Sequence, residues 1–182
     1  MMSTIHIAGI SGSLRRGSFN SALLRAAQVL LPENTKLEIV EYSDVPLYNS
    51  DVEGATGFPE SVLELRTKLA QADAILIATP EYNWSIPGVL KNAIDWASRG
   101  PDSPLTGKPA AIMGAGGRLG TAYAQGHLRQ ILAHFDMAVV NKPVVMITRA
   151  PEHFDEDLNL TSERYEDQIR RLLEALVAKA DG

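Results

Sequence analysis

Five short, nearly continuous apolar runs, separated by stretches with helical spacing, constrain this chain more than anything else in it. The runs cover residues 5–10, 37–42, 74–79, 110–114 and 137–140, the last continuing into 144–147. Runs without polar alternation suit strands covered on both faces, as inside a parallel sheet. Between them, apolar residues recur every three or four positions. Leu23, Ala27, Leu30 and Leu31 share one helical face; Val62, Leu65, Leu69 and Ala72 share a second, with Pro59 suited to its first turn. Ile86, Leu90, Ala93, Ile94 and Ala97 form a third stripe. Ala124, Leu128, Ile131, Leu132 and Phe135 form a fourth, and Tyr165, Ile169, Leu172, Leu173, Leu176 and Val177 a fifth. This alternation predicts a parallel α/β sheet in a single domain, residues 1–182, with right-handed crossovers. Ligands of such sheets bind beyond the carboxyl ends of the strands. Chemistry-bearing residues should therefore follow strands directly, and three clusters do.

The first cluster is Gly9-Ile10-Ser11-Gly12-Ser13-Leu14-Arg15-Arg16-Gly17-Ser18-Phe19-Asn20-Ser21, between the first run and the first stripe. Glycines let backbone approach an anion. The free N–H groups and dipole of a helix start attract it. Ser11, Ser13, Ser18 and Ser21 add hydroxyls, and Arg15 or Arg16 adds charge. Gly12 and Gly17 have the spacing of a Walker A loop, but Ser18 and Phe19 stand where its Lys and Mg²⁺-binding hydroxyl belong. The dinucleotide pattern G-x-G-x-x-G is absent too. A terminal phosphate monoester, such as that of flavin mononucleotide (FMN), suits this loop better than a nucleoside triphosphate; a solvated strand–helix turn is the plain alternative. The second cluster, Thr79-Pro80-Glu81-Tyr82-Asn83-Trp84-Ser85-Ile86-Pro87-Gly88, offers aromatics for a flat ring and amides for its polar edge. Its alternative is an ordinary turn whose Tyr82 and Trp84 pack on neighbours. The third, Gly114-Ala115-Gly116-Gly117-Arg118-Leu119-Gly120, permits close backbone approach to a planar ligand, or is a flexible turn.

Composition narrows the function classes. A formal net charge of −5 argues against nucleic-acid binding, which rests on Lys and Arg. No apolar run approaches the ~20 residues of a membrane span, and no signal-peptide pattern opens the chain, so a cytoplasmic protein is expected. The absence of cysteine removes disulfides, thiolate chemistry and Cys-based metal centres. His6, His127, His134 and His153 show no metal-like spacing and are expected to be structural.

Together the three clusters resemble the NADPH-dependent FMN reductase family, which includes quinone, chromate and azo-dye reductases. The family motif Gly-Ser-Leu-Arg-x-x-Ser-x-Asn runs here from Gly12 to Asn20. A second, Pro-Glu-Tyr-Asn, runs from Pro80 to Asn83 and is followed by Pro87-Gly-x-Leu-Lys-Asn-Ala-Ile-Asp-Trp96. The resemblance covers essentially the whole chain. It implies a flavodoxin-like fold: a five-stranded parallel sheet of order 2-1-3-4-5 with helices on both faces. It places the FMN phosphate at Ser11, Ser13, Arg15, Ser18, Phe19, Asn20 and Ser21. The isoalloxazine is then expected along Pro80, Glu81, Tyr82 and Asn83, and against Ala115, Gly116 and Gly117. Ala115 occupies a place where the family usually has Ser, which leaves backbone contacts there. Backbone N–H groups of Tyr82–Asn83 or Gly116–Gly117 would stabilise charge on the reduced ring.

The implied activity is ping-pong: NADPH or NADH gives a hydride to FMN, then a quinone, chromate, azo compound or free flavin takes the electrons. No side chain is needed as acid, base or nucleophile, because the flavin carries the chemistry. Arg118 is a candidate for the phosphates of the nicotinamide nucleotide. Lys91 and Asp95 have the spacing of a helical ion pair. The family also implies a homodimer or homotetramer. Two alternatives stay open: a flavodoxin-type electron carrier without pyridine-nucleotide turnover, disfavoured by the modest charge and the Pro-Glu-Tyr-Asn loop, and a non-enzymatic module on the same fold.

Overall fold

The computed structural model describes residues 4–182. In chain order its elements are β1 (Ile5–Ser11), α1 (Phe19–Val29), β2 (Thr35–Ile39), α2 (Ser50–Thr56), α3 (Glu60–Gln71) and β3 (Ala74–Ala78). There follow α4 (Gly88–Ala97), β4 (Pro109–Ala115), α5 (Ala122–His134), β5 (Ala138–Val139), β6 (Val145–Ile147) and α6 (Glu163–Ala180). A 3-10 turn, Ala150–His153, precedes α6. All strand pairings are parallel, and the order is β2-β1-β3-β4-β5, as the resemblance implies.

The sheet sits between two apolar layers. Strand β3 shows the logic: Ala74, Leu76 and Ala78 face one layer, Ile75 and Ile77 the other, and all five are buried. The first layer is filled from α1 and α6, through Leu23, Leu24, Ile169 and Leu173. The second is filled from α3, α4 and α5, through Leu65, Leu69, Leu90, Ile94, Leu128 and Leu132. Each of the five helical stripes thus turns toward the sheet.

Four details differ from expectation. The fifth strand is broken in two: β5 pairs with Pro109 and Ala110, and β6 with Met113–Ala115. Pro143 lies between them, and a proline has no N–H to donate to the ladder. Strand β2 begins at Thr35, opposite Ile5, and ends at Ile39, two residues earlier at its start than the apolar run 37–42 and three at its end. Helix α2 was not expected; none of its residues is buried, so it carries no stripe. Pro59 precedes α3 as its N-cap rather than lying in its first turn.

Side chains tie the elements together at their ends. The Lys108 ammonium donates to the carbonyls of Leu69 and Ala72 at the C-terminus of α3, where the helix dipole favours a cation. Arg66 donates to the carbonyl of Ala97, the last residue of α4, and to that of Asp102 beyond it. Asn92 and the Trp96 indole both donate to the Pro46 carbonyl, at 2.9 and 2.8 Å, and hold the segment after β2 against α4. Lys91 and Asp95 form the expected ion pair at 2.6 Å. Among the described residues no helix is long and apolar enough to cross a membrane.

Candidate active site

The carboxyl ends of β1, β3 and β4 bring the three clusters into one unit. Gly12 N–H donates to the Ala78 carbonyl at 2.7 Å, and Thr79 N–H to Met113 at 2.9 Å. A Cβ on Gly12 would stand 3.0 Å from Pro80 Cδ and 3.1 Å from Thr79 Oγ1, so glycine lets the first and second loops touch. Gly114 does the same for the second and third loops: a Cβ there would overlap Thr121 Oγ1 and lie 2.5 Å from the Thr79 carbonyl oxygen. Asn20 closes the set. Its Nδ2 donates to the Ala115 carbonyl at 3.0 Å, and its Oδ1 accepts from Ala115 N–H at 2.9 Å.

Within the first loop, hydroxyls organise the backbone. Ser11 Oγ donates to the Ser13 carbonyl at 3.1 Å and lies 2.8 Å from Ser21 Oγ. Ser18 is the N-cap of α1 and accepts from the N–H groups of Asn20 and Ser21 at 3.2 and 3.4 Å. The Phe19 ring packs on Phe154, with centroids 5.0 Å apart. Tyr42, just beyond β2, donates its hydroxyl to the Ser11 carbonyl at 2.5 Å. Burial, then the neighbouring Glu41 charge, push the Tyr42 pKa well above its ordinary value, so it stays a donor.

What remains unpaired is informative. Among the described residues the N–H groups of Leu14, Arg16, Gly17 and Phe19 find no acceptor. Arg15 and Arg16 are exposed and form no ion pair there. Four free N–H groups and two free guanidinium groups at a helix start make a cradle for a dianion. This donor set fits the phosphate of FMN.

In the second loop, Tyr82 and Ser85 exchange both backbone bonds at 3.0 Å and close a two-residue turn. Its tip residues, Asn83 and Trp84, have φ of 51° and 63°, the left-handed pair that a type I′ turn requires. Glu81 reaches to α5: its Oε2 accepts from the N–H groups of Tyr123 and Ala124 at 2.8 and 3.0 Å. It thereby caps a helix whose own N-cap, Thr121, makes no side-chain cap bond. His127 Nδ1 lies 3.1 Å from Ser85 Oγ. Pro80 is buried beneath this loop.

The third loop repeats the device. Gly120 N–H donates to the Gly117 carbonyl at 3.0 Å. Gly116 N–H is taken by the Ile147 carbonyl at 3.0 Å, while the Gly117 carbonyl accepts from Arg149 at 2.9 Å. One N–H of each expected pair, Tyr82 and Gly116, is therefore used inside the fold. Those of Asn83, Trp84, Arg118 and Leu119 find no acceptor among the described residues, while Gly117 N–H faces the Gly120 carbonyl across the closed turn. Arg118 lies exposed at the tip of its turn.

Two residues escaped the reading of the sequence. Tyr42 follows a strand end and could have been found by that rule. Tyr123, stacked on Trp84, lies on a helix with no local motif. The histidines are dispersed: His134 rests on Phe135 and His153 on Tyr165. No group of three metal-ligating side chains assembles among the described residues.

Known proteins bear on this arrangement. The sequence profile of the NADPH-dependent FMN reductases matches residues 5–152. An NAD(P)H-dependent FMN reductase of Pseudomonas aeruginosa is 52% identical over 177 residues, 97% of this chain and 95% of that protein. A quinone reductase of Escherichia coli K12 is 45% identical over 148 residues, 80% of this chain and 79% of that one. Among solved structures, a flavoenzyme NAD(P)H:(acceptor) oxidoreductase of Paracoccus denitrificans superposes with a TM-score of 0.87 at 35% identity, over 97% of each chain. A profile match over most of the chain, on a sheet whose three loops already meet as one site, makes this protein a member of the NADPH-dependent FMN reductase family.

Proposed function

We propose that this oxidoreductase binds FMN and transfers reducing equivalents from NADPH or NADH to quinone-type acceptors, the two substrates occupying one site in turn. The observation that carries the reading is the set of four unpaired N–H groups and two unpaired arginines in the first loop. Leu14, Arg16, Gly17 and Phe19 would hold the phosphate through backbone N–H, Ser13 through its hydroxyl, and Arg15 through charge. Ser18, Asn20 and Ser21 keep that backbone in place. Of the two expected pairs, the N–H of Asn83 is the donor left for a ring's polar edge. When bound, FMN supplies the hydride-accepting and electron-storing chemistry.

The protein's part is positioning and electrostatics. Fixed N–H dipoles stabilise negative charge without reorganising. Glu81 bonds the N-terminus of α5 and His127 lies against Ser85, roles that suit positioning. Such a site selects acceptors by shape more than by reactive groups, which is consistent with quinones and leaves chromate, azo compounds and free flavin as further acceptors. A cytoplasmic homodimer or homotetramer is also part of the proposal. Leu47, Val52 of α2 and Val89 of α4 are exposed apolar side chains available to such an assembly.

Initial rates at varied NADPH and quinone test the order of events. Parallel double-reciprocal lines are expected; intersecting lines would contradict alternating occupancy. Arg15→Ala should weaken FMN binding by about 1.5–3 kcal/mol, the worth of a hydrogen bond to a charged group. Titration of FMN into flavin-free protein, followed by fluorescence, measures this. Unchanged affinity would transfer the role to Arg16 or to the N–H groups.

A further inference from the structure

Trp84 is placed where local physics disfavours it. Its φ of 63° lies in the left-handed region, an outlier for a bulky side chain. Glycine is the residue that most easily takes the second position of a type I′ turn. Asn83, before it, is a type that tolerates this geometry. The indole is also 68% exposed, at the tip of the second loop. Strain combined with exposure calls for a compensating role.

Its surroundings indicate that role. The indole stacks on Tyr123, with ring centroids 5.2 Å apart and planes 13° from parallel. Tyr123 is itself 45% exposed. The pair is held rigidly: Glu81 bonds Tyr123 N–H and Ala124 N–H, Ser85 meets His127, and Tyr82 and Ser85 close the turn. The carboxylate of Glu81 is directed at the helix start rather than left free beside the rings. A fixed aromatic surface costs little ordering when a ligand settles on it. With the Glu81 carboxylate engaged at the helix start, the surface suits a neutral planar ring more than a small oxyanion.

We infer that Trp84, backed by Tyr123, is a specificity-determining platform that selects planar aromatic acceptors. This rests on the FMN-dependent reading above, since the platform shares its turn with Asn83. The stack holds the indole in place, and the exposed part of the indole is the surface the acceptor would cover.

The test uses the FMN-loaded protein and two substitutions. Trp84→Gly removes the ring and suits a φ of 63°, so the turn is retained. Trp84→Tyr keeps a ring. Equilibrium dialysis gives the Kd of 1,4-naphthoquinone for the oxidised protein without NADPH. Steady-state rates give kcat and KM for 1,4-naphthoquinone and for ferricyanide, which has no ring to stack. In Trp84→Gly the naphthoquinone Kd and KM should rise about 10-fold, and the naphthoquinone-to-ferricyanide ratio of kcat/KM should fall by about the same factor, the scale of one lost aromatic contact. Trp84→Tyr should stay within about 3-fold of the unaltered protein on the same scale. Equal losses with both acceptors, especially with a change of mass in light scattering, would overturn the platform in favour of a subunit contact. An unchanged naphthoquinone Kd would overturn it as well. If the unaltered protein neither holds FMN nor oxidises NADPH, the underlying reading fails and the platform with it.

Discussion

Asn20→Ala is expected to destabilise the fold by about 2–4 kcal/mol, because it strands two buried backbone groups, each worth about 1–3 kcal/mol when left unpaired. Asn20 is 3% exposed, and its amide both donates to and accepts from Ala115, 95 positions away. The same substitution should weaken FMN binding, since the first loop would no longer be fastened to the third. Asn20 thus acts on the cofactor by positioning the loops. Asn20→Asp is the informative control: it can still accept from Ala115 N–H but sets a buried carboxylate against the Ala115 carbonyl, and should lose at least as much stability at neutral pH. Urea unfolding of the three proteins measures both effects. Stability within about 0.5 kcal/mol of the original for Asn20→Ala would contradict the link.

Gly114→Ala should have an effect at least as large, through excess volume rather than lost bonds. The added methyl would overlap Thr121 Oγ1 and meet the Thr79 carbonyl oxygen at 2.5 Å and Thr121 Cγ2 at 2.9 Å. Thr79 and Thr121 are both fully buried, and Thr121 Oγ1 also accepts from Gln125 Nε2 at 3.1 Å. Neither can withdraw without moving backbone or breaking that bond. A cost of about 3 kcal/mol or more is expected, at the upper end for overpacking. The separation of the second and third loops should also impair flavin retention during gel filtration. Gly117→Ala is the contrast, because a Cβ there meets nothing within 4 Å. Equal stability of the two variants would contradict the close approach at Gly114.

Most of this fold was legible because three of its strands are largely covered on both faces. Residues 5–10, 74–79 and 110–114 read as nearly continuous apolar runs for that reason. The edges were less clear. Strand β2 alternates, with Leu37 buried between exposed Lys36 and Glu38, so its limits came from its register with β1 and not from an apolar run. Helix α2 packs no side chain into either layer and left no period to find. The three loops were visible because phosphate and ring recognition need glycine, hydroxyl and amide residues at strand ends. Their internal assignments were not. Which N–H is free and which is spent on Ser85 or Ile147 depends on turns closed in three dimensions. The Asn20–Ala115 link and the Trp84–Tyr123 stack join segments far apart in sequence, and no local pattern announces such pairs.

The central claim is that the three loops hold an FMN that NADPH can reduce. The most direct measurement is the visible spectrum of the purified protein with FMN, recorded before and after anaerobic addition of NADPH. The account predicts an oxidised flavin spectrum that stays with the protein through gel filtration and bleaches when NADPH is added. Protein that retains no flavin would contradict the cradle at residues 11–21, and retained flavin that NADPH and NADH both leave oxidised would contradict the oxidoreductase reading.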